Sequence, residues 1–81
     1  MERNIERLKY ELESYVEILE RRYEEAKIDL ERMEKHSSSD FGLHTAQWMH
    51  DTRQSRLNSF CRAMEFVEEN LDIELDIPVR R

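Results

Sequence analysis

Helix breakers and cross-links are what this chain has least of: one glycine, one proline and one cysteine in 81 residues. Gly and Pro interrupt helices, so their scarcity beside abundant Glu, Arg and Leu favours long ones. A single cysteine, Cys61, excludes an internal disulfide and suits a reducing compartment. With Phe60 and Met64 beside it at helical spacing, it reads as a small buried side chain rather than a reactive thiol. No apolar run approaches the ~18 residues that a membrane span needs. Met1 to Leu8 carries charges where an export signal would be apolar. The expectation is a soluble, cytoplasmic protein with no membrane partner.

Catalytic signatures are also missing. There is no Gly-rich phosphate loop, no Gly-x-Ser-x-Gly, and no Cys-x-x-Cys or His-Glu-x-x-His spacing. His44 and His50 are six residues apart, so they diverge by about 240° around a helix and share no mononuclear metal site. His50 and Cys61 share a face but lie ~16 Å apart along the axis. His50 and Asp51 are adjacent and point about 100° apart, which argues against a base and its orienting carboxylate. The chain is read as no enzyme, with no cofactor and no metal.

Charge is plentiful, at 40% of residues against 38% hydrophobic, for a net charge of −6. It is unevenly distributed: residues 1–36 sum to −3, residues 37–64 to +1 and residues 65–81 to −4. Basic residues are interleaved with Glu rather than clustered, so nucleic acid is not the expected partner.

From Ile5 to Met33 the apolar positions Ile5, Leu8, Leu12, Val16, Leu19, Tyr23, Ala26, Leu30 and Met33 recur at spacings of three and four. That is a coiled-coil-like seam on one long helix, about 2–35. Glu17 with Arg21 and Glu31 with Lys35 are favourable pairs on its outer face. The stretch from His36 to Gly42 breaks the period, and either Ser39 or Asp40 can cap a second helix. A loop over 36–41 and a helix over about 42–70 make an antiparallel hairpin. The second seam runs through Leu57, Phe60, Met64, Val67 and Leu71, and its backward continuation passes His50 and Arg53. These two form an expected polar core layer, with Glu20 and Asp29 within reach of the Arg53 guanidinium.

In the tail 71–81, Leu71, Ile73, Leu75, Ile77 and Val79 alternate with polar residues or Pro78. Period two is the pattern of an extended, half-buried segment. A lone strand is unstable, so the segment is expected to pair with another chain, or else to lie over the apolar surface of its own.

Off the second seam, Trp48 and Phe66 fall together at roughly 145° from it, with His44, Asp51 and Arg62 around them. Large aromatics left in water by a hairpin mark a contact surface. The fold expected is all-α: a single-domain antiparallel two-helix hairpin, dimerising into a four-helix bundle, with a short C-terminal extended or β segment. The function expected is a non-enzymatic interaction or regulatory protein, such as a phage-type inhibitor or an accessory subunit. It would self-associate as a homodimer or higher oligomer and dock on another protein. The expected contact residues are His44, Trp48, Asp51, Arg62, Phe66, Leu71, Ile73, Leu75 and Ile77. Two other readings are an assembly subunit joined through the tail and a ligand- or metal-binding bundle using His50, Arg53 and Cys61.

Overall fold

A computed structural model describes residues 2–36 and 39–80. Two helices account for most of them: α1, Glu2–Lys35, and α2, Asp40–Leu71. Ser37 and Ser38 of the expected loop, and Arg81 of the tail, lie outside the described residues.

The helices run antiparallel, because Tyr15 meets Phe60 and, further along α1, Tyr23 meets His50, which lies earlier on α2. The ring centroids are 4.9 and 5.4 Å apart. Every residue of the α1 seam from Ile5 to Met33 is buried or half-buried, and Val16 and Leu19 are the most enclosed along with Leu57, Cys61 and Met64 on α2. Arg7 with Glu11 and Asp29 with Arg32 form ion pairs on exposed parts of α1. Such solvated pairs contribute a few tenths of a kcal/mol.

Chemistry at the ends of α2 fixes its limits. Ser39 is the cap: its Oγ accepts from the Gly42 N–H at 3.2 Å, and its carbonyl accepts from Leu43 at 2.9 Å. Helix two therefore starts at Asp40, two residues before the expected position. At the other end Asp72 takes a left-handed conformation, φ 52° and ψ 48°, and its N–H donates to the Glu68 carbonyl. Asp tolerates this region better than most side chains, because its short polar group can hydrogen-bond locally.

That left-handed residue sends the chain back along the hairpin. Residues 73–77 have no regular secondary structure and no ladder partner, and a single turn of 3-10 helix follows at Pro78–Arg80. Among the described residues there is no strand, so the expected β segment is replaced by a strap. Its period-two pattern is still used: Leu75 and Ile77 are buried against the seam, Ile73 is half-buried, and Glu74 and Asp76 face water.

Side-chain carboxylates supply what a neighbouring strand would have supplied. The Leu75 N–H donates to Glu68 Oε2 at 2.6 Å, and the Asp76 N–H donates to Glu13 Oε2 at 2.7 Å. Arg80 donates to the same Glu68 oxygen at 2.7 Å and to the Leu75 carbonyl at 2.9 Å. One strap is thus tied to both helices. No described helix is long and apolar enough to cross a membrane.

Candidate interaction surface

The expected contact residues divide into two sets. Leu75 and Ile77 are occupied by the chain's own core, with Ile73 partly so, and only Leu71 of that set is exposed. The physical reason is that the seam between α1 and α2 leaves apolar surface beside Val16, Cys61 and Met64, and the tail reaches it within a few residues. His44, Trp48, Asp51, Arg62 and Phe66 are all exposed on α2.

Trp48 is 62% exposed and Phe66 66%. They are 18 residues apart, five helical turns, so they lie on one line ~27 Å long on the side away from the seam. Between them Ser55 and Ser59 leave that line low. On α1, Tyr10 and Ile28 are likewise exposed.

His50 and Arg53, the expected polar layer, are both half-buried rather than enclosed. His50 is half-buried against the Tyr23 ring, and its Nδ1 lies 3.2 Å from Asp51 Oδ1. The expected separation of these two neighbours is thus corrected: their Cα–Cβ bonds diverge, but the side-chain torsions bring the polar ends back together. Arg53 is half-buried at the margin of a cleft of about 370 Å³ near the hinge, which Asp29, Arg22 and Glu25 also line. Asp29 is held 2.8 Å from Arg32. The apolar part of the cleft comes from Ala26, Met33, Phe41 and Met49. A second groove of about 370 Å³ runs between Tyr15 and Leu19 on α1 and Ser59, Phe60 and Ala63 on α2. No tail residue lines either. The strap crosses Glu13, Cys61 and Glu68, so it covers one side of the hairpin and leaves the other open.

Cys61 lies in the core, away from the cleft that Arg53 lines. Burial pushes its thiol pKa up, opposed by a hydrogen bond with the Val79 backbone. His50, Arg53 and Cys61 therefore do not converge on one pocket, and among the described residues no three His, Cys, Asp or Glu side chains are grouped as a metal would need. Glu68 has a structural role: the Arg80 hydrogen bond, followed by that from Leu75, holds its carboxyl below its ordinary pKa.

Sequence reasoning missed Glu68, Arg80 and Glu13 as a unit, since only the left-handed turn at Asp72 brings the tail back over them. Compared with protein-family models, curated proteins and solved structures, the chain matches none.

Proposed function

We propose that this chain is a small non-enzymatic interaction protein that self-associates and, in that form, docks on a protein partner and regulates it by occlusion. A phage-type inhibitor and an accessory subunit of a larger assembly both fit. The observation that carries this reading is the outward line of Trp48 and Phe66, two large side chains in water on an otherwise polar helix face. Its shape supports the same reading. The radius of gyration is 16.2 Å, with extents of 54 × 19 × 16 Å, against roughly 12 Å for a compact chain of this length. Its accessible surface of 6438 Å² exceeds by about 1,200 Å² that of a typical compact monomer of the same mass. Each partner in a standard interface gives up about 800 Å². The carboxylates of α1 and the tail then select basic surfaces on the docked protein and steer approach.

Solution mass tests the reading directly. Sedimentation equilibrium of the full chain should give a dimer or larger, and replacing Trp48 and Phe66 together with Ala should shift it toward monomer with helicity unchanged. A wild-type chain that is monomeric and cooperatively folded at every concentration would refute it.

A further inference from the structure

The outer face of α2 has a symmetry that the self-association reading does not require. Taking Leu57 as a centre, Trp48 lies nine residues before it and Phe66 nine after, and Ser55 and Ser59 lie two to either side. Asp51 and Arg62 are six before and five after; His44 and Glu69 are thirteen before and twelve after. All eight side chains are exposed. His44, Asp51, Arg62 and Glu69 each fall about 40–60° to one and the same side of the Trp48–Phe66 line.

A two-fold axis perpendicular to two antiparallel helices carries such a side onto itself. It also exchanges positions equidistant from the centre, so a closed interface needs residue i to suit residue j and j to suit i. The aromatic pair and the serine pair meet that condition, and the two charged pairs, carboxylate opposite guanidinium and imidazole opposite carboxylate, meet it to within one residue, or about 1.5 Å along the axis. Small residues at the crossing let two helix axes approach to about 8 Å. Self-complementary charge makes a second copy of this chain the occupant.

Resting on the self-association proposed above, we infer that the outer face of α2 is a two-fold interface with α2 of a second copy, running antiparallel. Trp48, Asp51 and His44 of each copy meet Phe66, Arg62 and Glu69 of the other. The resulting order of helices is α1–α2–α2–α1, a four-helix layer. The open side of each hairpin stays free for a docked protein.

Charge exchange tests it. In the full chain, Asp51→Arg and Arg62→Asp each place like charges together twice per dimer, and each should weaken dimerisation by about tenfold or more. The double variant Asp51→Arg/Arg62→Asp restores the pairing with its sense inverted and should return the constant to within about threefold of wild type. Trp48→Ala removes the Trp48–Phe66 contact on both sides of the two-fold axis and should cost on the order of a hundredfold. Circular dichroism checks that helicity is retained, as exposure of all three positions leads one to expect. A dimer indifferent to both single reversals, or a double variant weaker than either single, overturns this interface while leaving self-association standing. Assemblies that grow without limit point instead to α2 meeting Tyr10 and Ile28 on α1 of the next copy, and overturn it too. A monomeric wild type removes both proposals together.

Discussion

Replacing Ile77 with Ala probes the strap where it is most deeply seated. Ile77 is 2% exposed and belongs to one cluster with Val16, Leu19, Leu57, Cys61, Met64 and Leu75. Removing three of its side-chain carbons from a packed site ordinarily costs about 2–5 kcal/mol, the spread reflecting how far the surroundings collapse. A strap is a special case, because the chain can let it go. Once the substitution costs more than the strap gains by docking, the tail detaches and the hairpin keeps what remains. The loss from Ile77→Ala is therefore capped by the loss from a chain ending at Asp72, and Leu75→Ala with Ile77→Ala should be subadditive, reaching that same ceiling.

Urea unfolding followed by far-ultraviolet circular dichroism gives the stability, at one fixed protein concentration because the proposed association would contribute to it. Cys61 gives the local reading. It is buried beside Val79, so a thiol reagent should label it slowly in the wild type and at least ~10-fold faster once the strap is loose. The reasoning fails if Ile77→Ala costs under about 0.5 kcal/mol and leaves labelling unchanged, since surface substitutions fall in that range. It fails equally if the two alanines cost far more than truncation, because nothing would then limit the damage to the strap.

Acid should loosen the same strap. The folded pKa of Glu68 is depressed, so its contribution is fully present above the unfolded carboxylate value of about 4.3 and is lost as pH falls through the lower folded value. Amide exchange at Leu75, corrected for its intrinsic pH dependence, should lose protection across that window, and Glu68→Gln should abolish the pH dependence; equal protection throughout would contradict the role of the carboxylate. Ser39→Ala removes the acceptor for the Gly42 N–H and should cost ~1 kcal/mol in urea unfolding, with a change below ~0.3 kcal/mol arguing against the cap. Arg53→Leu places an apolar side chain at the margin of a partly apolar cleft, and its melting temperature should hold or rise. A fall of more than about 6 °C, or roughly 1 kcal/mol at this size, would show that Arg53 anchors the hairpin.

The seams were readable because spacings of three and four over some thirty residues have one economical interpretation, and Val16, Leu19, Leu57, Cys61 and Met64 are buried as that interpretation requires. The cap was ambiguous because Ser39 and Asp40 carry equivalent acceptors one residue apart. Alternation in the tail was legible as an extended segment with one apolar face. What covers that face was not, because period two is satisfied equally by a sheet and by a groove between helices. The ties that decide the matter join Glu13 to Asp76 and Glu68 to Arg80. Neither has a periodic signature, since both depend on the reversal at Asp72. The meeting of His50 and Asp51 was hidden for another reason: a helical projection fixes where a side chain starts, while its torsions decide where the polar atom ends.

The outer line of α2 presents the opposite case, a feature the sequence displays and the single chain leaves unexplained. Forty per cent of the residues are charged, so polar side chains for positions 48 and 66 are hardly scarce. Neither position helps the helix, because Trp and Phe have lower helix propensity than the Glu, Lys and Arg used elsewhere. Neither helps the core, from which both point away. An isolated exposed apolar residue needs no explanation; two of the largest kind, in line and symmetric about Leu57 with small residues between, are a different observation. Local preference and single-chain packing both disfavour the arrangement, and mismatches of that kind gather where a surface meets something else. The strap sharpens the point. Apolar surface beside Cys61 and Met64 was close enough for the chain to cover with its own tail, whereas the Trp48–Phe66 line stays exposed in the single chain, and the interface proposed above assigns its cover to a second copy.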